Sequence, residues 1–308
     1  MEDLNEKCAV FGVFGRDLDV SRLAFFGLYA LQHRGQESSG ISTTDGESLF
    51  SHRAMGLVAQ VFAEKDIKKL PGHIALGHNR YSTSKGSHEK HAQPVVIEDV
   101  GIALAHNGNL PSTTAIVQFL KSKGTPHNAL SDSEMIAESI AHYKREGLSL
   151  EDSIQKVFPL MTGAFSILIM DKEHLIAIRD TYGVRPLSFG SLNGGYVFSS
   201  ETCAFHTIGA TYIRDVLPGE MVIIDKHGEH SISLAKGTQK LDIFEFVYFA
   251  RPDSMLLGKS VYHVRRNFGI ELANECPIDA DVVIPVPETA IPVAIGYSAK
   301  SGIPFEMG

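Results

Sequence analysis

Cys8 stands behind a short polar leader, residues 1–7, and directly ahead of the strand-like run 9–14. A cysteine at a new N-terminus carries two reactive groups on one residue. The thiol can attack an electrophilic carbon. The freed α-amine has an ordinary pKa of roughly 8, so it is partly neutral near physiological pH and can take the thiol's proton without a histidine. This chemistry requires that residues 1–7 be removed. Four further clusters lie in the first half of the chain: Leu31-Gln-His-Arg-Gly-Gln-Glu37, Gly77-His-Asn-Arg-Tyr-Ser-Thr83, Ala105-His-Asn-Gly-Asn-Leu110 and Ser131-Asp-Ser-Glu134. Arg80, at a strand end, can bind a carboxylate with its planar two-pronged guanidinium. Asn107 and Gly108 can offer a side-chain amide and a backbone N–H to one oxyanion. Asp132 can accept an ammonium. Together such groups hold an α-amino acid by both ends and present its side-chain carbonyl to a thiol.

Each of these residues also has an ordinary reading. Free cysteines are mostly small buried hydrophobes, and arginines and aspartates mostly end in surface ion pairs. Asn-Gly is a common tight turn; here it reads as both a turn and a site. Thr83 divides evenly between the two readings. His88 and His91 are three apart, whereas a zinc-binding helical pair needs four, so they read as part of a solvated loop. His33, His78 and His106 are given packing and hydrogen-bonding roles. Cys203 and Cys276, in apolar surroundings, read as structural.

The elements that must position these groups begin with strands at 8–15, 39–44, 48–53, 73–78 and 101–106, and a helix at 21–33 with a broad apolar face. Helices follow at 112–122, 131–145 and 150–160, then strands at 164–170, 174–179, 185–190, 195–199 and 220–225. The helix at 131–145 is the clearest: Ser131 or Asp132 can cap it and Glu134 adds a carboxylate to its first turn. Strands, then helices, then strands, without regular βαβα alternation, favour a layered sandwich over a doubly wound parallel sheet. Near 235–241 the character changes. A polar stretch reads as a linker, followed by a strand at 243–249, a helix at 261–274, a buried-looking strand at 281–287 and a helix at 291–301. This βαβ-like piece is small for an independent core, so the chain reads as a fragment.

At 308 residues the chain has room for about two domains of roughly 150 residues each. Its 44% hydrophobic and 21% charged residues are those of an ordinary globular protein. A formal net charge of −8 and a pI near 5.9 argue against a broad nucleic-acid or acidic-membrane surface. No apolar run is long enough to span a bilayer, and the acidic, polar N-terminus is not a secretory signal. Three widely spaced cysteines make neither a disulfide framework nor an iron–sulfur or zinc pattern, and fit a reducing cytosol. The expectation is a cytoplasmic protein with no nucleic-acid or membrane partner.

In this order and spacing the clusters resemble the class II, N-terminal-nucleophile glutamine amidotransferases. The strings Ser200-Glu-Thr-Cys-Ala-Phe205 and Tyr248-Phe-Ala-Arg-Pro-Asp-Ser254 resemble the branch that passes ammonia to phosphoribosyl pyrophosphate in purine de novo synthesis. The likeness covers essentially the whole chain. It implies an α+β architecture: a four-layer αββα N-terminal-nucleophile hydrolase sandwich over 8–238, then a truncated α/β type I phosphoribosyltransferase-like domain over 239–308. Residues 1–7 are implied to be a propeptide removed by self-cleavage.

The resemblance also implies roles. Cys8 attacks the amide of glutamine, giving a thioester and ammonia, and water then frees glutamate. Asn107 and Gly108 form the oxyanion hole. Arg80, helped by Thr83, holds the α-carboxylate and Asp132 the α-amine, while Arg34 and Tyr81 shape and close the pocket. Pro287-Glu-Thr289 resembles a pyrophosphate-contacting loop, and Arg251-Pro-Asp-Ser254 is assigned to the second active site or the domain interface. In the complete protein, phosphoribosyl pyrophosphate, with magnesium, is converted by ammonia to phosphoribosylamine and pyrophosphate; a homo-oligomer is implied. The chain departs from the family at Ala9, where glycine is usual. It also lacks the acidic ribose-phosphate motif. Asp242 stands where some members place a cluster-ligating cysteine, so no iron–sulfur cluster is expected, and no metal ligand is assigned within this chain. The competing readings are the glutaminase domain of another class II enzyme, against which the strings at 200–205 and 248–254 argue, and an inactive fragment that keeps the fold.

Overall fold

A computed structural model describes residues 8–81, 89–127 and 129–308. The chain divides into two compact units: residues up to 200 with 204–241, and residues 201–203 with 242–308.

The first unit begins with strand β1 (Ala9–Phe14), helix α1 (Val20–Ala30), a 3-10 turn (Gln32–Arg34), and strands β2 (Ser38–Thr44) and β3 (Leu49–Met55). Two single-turn helices follow, α2 (Val58–Val61) and α3 (Glu64–Ile67), then β4 (Ile74–Arg80), β5 (Val95–Ile97) and β6 (Ile102–Ser112). Three helices come next, α4 (Thr114–Ser122), α5 (Asp132–Arg145) and α6 (Leu150–Val157). Seven strands complete the unit: β7 (Thr162–Met170), β8 (Leu175–Arg179), β9 (Ser188–Leu192), β10 (Gly195–Ser199), β11 (Thr211–Asp215), β12 (Glu220–Asp225) and β13 (Gly228–Ser233), with the short helix α7 (Cys203–Ile208) between β10 and β11.

Among the described residues these strands form a seven-stranded sheet in the order β11-β9-β10-β1-β4-β2-β3 and a six-stranded sheet in the order β13-β12-β8-β7-β6-β5. Strand alternation builds the layers. Val10 and Phe14 of β1, with Ile74 and Leu76 of β4, meet Ala103 and Ala105 of β6 and Leu168 and Met170 of β7 in one apolar core between the sheets. The opposite face of the six-stranded sheet, through Leu104, Ile167 and Ile169, packs on Ile116, Ile136, Ile140 and Ile154 of α4, α5 and α6. Helix α1 covers the other face of the first sheet. Its Gly27 lies so close to Phe11 that a Cβ would stand 2.5 Å from the ring. The result is the expected four-layer αββα sandwich. The helices and strands expected in this unit appear within a few residues, apart from the end of the helix at 150–160, which becomes a 3-10 turn at Phe158–Leu160, where Pro159 cannot supply a donor. The stretch 236–240 is not a bare linker. Thr238 and Lys240 donate backbone N–H bonds to Thr181 and Tyr182, and Lys240 lies over the Tyr182 ring.

In the second unit the strand expected at 243–249 is instead a π-helical turn, Glu245–Phe249. Ala250 N–H closes onto Glu245 O, and the buried Arg265 donates to the Phe246 and Ala250 carbonyls, so a guanidinium rather than a neighbouring strand satisfies this backbone. A two-residue hairpin, β14 (Met255–Leu256) and β15 (Lys259–Ser260), turns at Leu257 and Gly258, both with positive φ. Helix α8 (Val261–Glu275) starts from the Ser260 cap and crosses α9 (Ile291–Ser301) where Gly269 meets the Val293 carbonyl and Gly296 the Arg266 carbonyl; a Cβ at either would strike backbone. The expected buried strand at 281–287 is exposed, with Val282 at 43%, Ile284 at 58% and Val286 at 80%. Its ladder among the described residues is a single parallel bridge, Val283 to Phe305.

Candidate active site

Cys8 immediately precedes β1 and is buried. Its thiol donates a weak sulfur bond to the Tyr81 carbonyl at 3.8 Å, and its own carbonyl accepts from Arg34 Nε at 3.3 Å. Arg34 is fully buried at the end of the 3-10 turn that follows α1. That turn is held by Gln32, whose side chain bonds both Gly35 O and Val58 N–H. The register of β1 on β4 pairs Ala9 with Asn79, which sets Cys8 beside the β4 end that carries Arg80. Ala9 is fully buried.

Asn107 and Gly108 lie inside β6, paired with Ser166 and Phe165 of β7. The sequence placed them at a turn. The structure keeps them in the strand, and the register breaks only beyond Asn109, where the ladder shifts before Ser112. Gly108 is needed there for close approach, since a Cβ would collide with the Ala164 carbonyl. Asn107 is fully buried, and its amide nitrogen reaches Ser200 Oγ at 3.4 Å. Ser200 Oγ also accepts from Val10 N–H at 2.9 Å, so one hydroxyl ties the Asn107 amide to the strand that starts at the nucleophile. An amide nitrogen has two protons. Among the described residues this is the one contact of Asn107 Nδ2, and its Oδ1 has none.

Arg80 closes β4, and its guanidinium sits 3.5 Å from a Glu37 carboxylate oxygen, both side chains largely shielded. Thr83 and residues 1–7, the expected propeptide, lie outside the described residues. Asp132 is the first residue of α5, which opens with a capping box: Ser131 Oγ accepts from Glu134 N–H, and Glu134 Oε2 accepts from Ser131 N–H at 2.7 Å. The Asp132 side chain is 26% exposed. Its Oδ1 accepts from Ser133 N–H at 2.7 Å, while Oδ2 lies 3.4 Å from Leu110 N–H and 3.7 Å from His106 Nδ1.

Cys8 and Arg80 thus lie where β1 begins and β4 ends, Asn107 and Gly108 lie within β6 with Asn107 tied to β1 through Ser200, and Asp132 opens α5 beside His106 and Leu110 of β6. A cavity of about 490 Å³ lies at the opposite end of β1, among Phe14, Arg16, His73, Lys172 and Lys226, and shares no residue with them. Beneath the site sit two buried histidines. His78 Nε2–H donates to the His106 carbonyl (3.0 Å), and burial pushes its pKa down to about 3. Burial also lowers His106, against the pull of Asp132. Both are neutral at pH 7. The sequence reading missed Gln93 and Ser133, which hydrogen-bond to His106. Ser133 sat inside the Ser131-Asp-Ser-Glu134 cluster and had that signal; Gln93, in an Ala-Gln-Pro context, had none.

The cysteines divide. Cys203 is buried, and desolvation, with the charge of Glu201 next, raises its thiol pKa, which leaves it unreactive. Cys276, read as structural in apolar surroundings, is exposed as the C-cap of α8, where its carbonyl accepts from Tyr297 Oη at 2.9 Å. Among the described residues no group of three or more His, Cys, Asp or Glu side chains is placed to hold a metal ion. His88 lies outside the described residues, and His91 ends the 3-10 turn Glu89–His91. Nor does any described helix have the length and apolarity to cross a membrane.

Residues 78–207 match the glutamine amidotransferase domain family. The whole chain is 43% identical, over 318 aligned residues, to the amidophosphoribosyltransferase of Mycobacterium tuberculosis, of which it spans 60%. Two solved structures superpose over 98% of the chain. One, described as the allosteric regulatory enzyme of purine biosynthesis, gives a TM-score of 0.92 at 42% identity and is covered over 65% of its length. The other, glutamine phosphoribosylpyrophosphate amidotransferase from B. subtilis complexed with ADP and GMP, gives 0.90 at 41% identity and is covered over 66%. The chain therefore spans about two-thirds or less of the relatives it matches. In sequence over its whole length and in fold over 98% of it, the chain is similar to amidophosphoribosyltransferases, and its residues 78–207 carry the match to the glutamine amidotransferase domain family.

Proposed function

We propose that the first unit hydrolyses glutamine to glutamate and ammonia. Removal of residues 1–7 frees the α-amine of Cys8, which accepts the thiol proton. Sulfur then adds to the side-chain carbonyl of glutamine, and the negative oxygen is met by the Asn107 amide and the Gly108 N–H. Collapse breaks the C–N bond, the proton passes to the leaving nitrogen, and ammonia departs from a thioester. Water attacks the thioester, glutamate leaves, and the thiol is restored. Arg80, with Thr83, holds the α-carboxylate, Asp132 holds the α-ammonium, and Arg34 and Tyr81 line the pocket. The observation that most supports this reading is that Cys8 starts β1 beside the β4 end carrying Arg80, while Ser200 ties the same strand to the buried Asn107 amide.

In the complete protein, on this reading, residues 8–238 supply ammonia and residues 239–308 begin the domain that binds phosphoribosyl pyrophosphate. There ammonia displaces pyrophosphate to give phosphoribosylamine in purine synthesis. Magnesium bound with phosphoribosyl pyrophosphate would neutralise the pyrophosphate leaving group. No cluster among the described residues fits such an ion, and no step here runs through it. A cytoplasmic homo-oligomer without an iron–sulfur cluster completes the proposal. The test is Cys8→Ala: it should abolish glutamate release and leave residues 1–7 attached. Appreciable glutaminase activity in that variant would overturn the assignment.

A further inference from the structure

His106 touches no substrate group in this reading, yet three elements of the site meet at it. Its main-chain N–H donates to Gln93 Oε1 at 2.8 Å, and its main-chain carbonyl lies 3.0 Å from His78 Nε2 on β4. Its ring Nδ1 lies 3.1 Å from Ser133 Oγ and 3.7 Å from Asp132 Oδ2, at the start of α5. Gln93 Nε2 donates to the same Ser133 Oγ at 3.1 Å, and that hydroxyl stands 3.3 Å from Asp132 Oδ1. Gln93, His106 and Ser133 are each more than nine-tenths buried.

One proton arrangement, assigned from this network, serves every contact. A neutral His106 ring protonated at Nδ1 donates to Ser133 Oγ. Ser133 accepts from Gln93 as well and sends its own proton to Asp132. Burial keeps the ring neutral, and the adjacent carboxylate favours a proton on Nδ1. Ring Nε2, which has no hydrogen-bond partner, then faces Gly108: a Cβ there would stand 2.8 Å from it.

We infer that Gln93, His106 and Ser133 form a positioning clamp that fixes the Asp132 carboxylate at a set distance from the Asn107-Gly108 segment. The inference rests on the roles proposed above for Asp132 and the Asn107-Gly108 pair, and deepens them. A carboxylate that cannot relax away makes the α-ammonium of the substrate a determinant of specificity, because only an amide substrate carrying that group can meet it.

The probe is 4-carbamoylbutanoate, which is glutamine without its α-amino group. The quantity read on the full chain is kcat/KM for glutamine divided by kcat/KM for this analogue. Ser133→Ala should lower that ratio about tenfold, mainly by raising the KM for glutamine. Gln93→Met should do the same, and it carries the test should Ser133→Ala fail to fold. Asp132→Asn should lower the ratio at least as far. A purely structural role would depress both substrates together and leave the ratio where it was. If Asp132→Asn collapses the ratio while the other two leave it unchanged, the clamp is overturned and the role of Asp132 stands. If Asp132→Asn leaves it unchanged, the assignment of Asp132 to the ammonium fails, and the clamp fails with it.

Discussion

His78 and His106 are buried neutral groups joined from the His78 ring to the His106 carbonyl, and they tie the stability of the fold to pH. The pKa of His78 in the folded chain is pushed down to about 3 by burial, from an ordinary value near 6.5. As pH falls below about 6.5, the unfolded chain takes up a proton that the folded chain refuses. The stabilisation is therefore complete above that pH and is lost progressively as pH falls toward about 3, at about 1.4 kcal/mol per pH unit for each such histidine. His78→Gln removes one titrating group. In urea unfolding at pH 7.5, 6 and 5 it should show a shallower fall in stability than the unaltered chain; an identical slope would mean that His78 is protonated in the folded state. At this scale the expectations for Cys8, Arg80 and Asp132 came from residue type and from a family resemblance. The sequence was silent about Gln93, because a buried amide between a strand and a helix leaves no periodic or spacing signal. Asn107-Gly108 was misread as a turn for a related reason. The pair is a turn signal locally, but the ladder with β7 overrides local preference and keeps both residues extended.

Helix α5 carries Asp132 at its first position, so its N-terminus must not fray. Ser131 and Glu134 satisfy two N–H groups that the helix itself cannot. Ser131→Ala should cost about 1 kcal/mol, read as a shift in the urea midpoint. A change of less than about 0.3 kcal/mol would show that packing of Ile136 and Ile140 alone holds the turn. Caps of this kind are local, which is why 131–145 was the clearest helix in the sequence and its start is Asp132 in the structure. Elements whose backbone depends on distant partners were harder to read. The apolar run at 243–249 has strand composition, but Arg265, some twenty residues away, takes its carbonyls and curls it into a π-turn. The edge strands β5, β11 and β13 went unrecognised, being short or half exposed, with little hydrophobic alternation.

On the scale of the molecule, the order strands, helices, strands was enough to favour a layered sandwich, and the two cores fill with the residues that the alternation and the helical periodicity selected. The buried strand expected at 281–287 failed because a continuous apolar run implies neighbours on both sides, and the described residues give it a single bridge to Phe305. The net charge of −8 constrained the partners without naming them; the site's chemistry had to come from four short clusters brought together by the sheets. The central claim is that those clusters make one glutamine-shaped pocket around an N-terminal thiol. The most direct measurement is the intact mass of the purified chain after exposure to 6-diazo-5-oxonorleucine, a glutamine-shaped electrophile. The account predicts a single adduct on a chain that begins at Cys8, lost in Cys8→Ala. An unlabelled chain that already begins at Cys8, or a label that persists in Cys8→Ala, would contradict it.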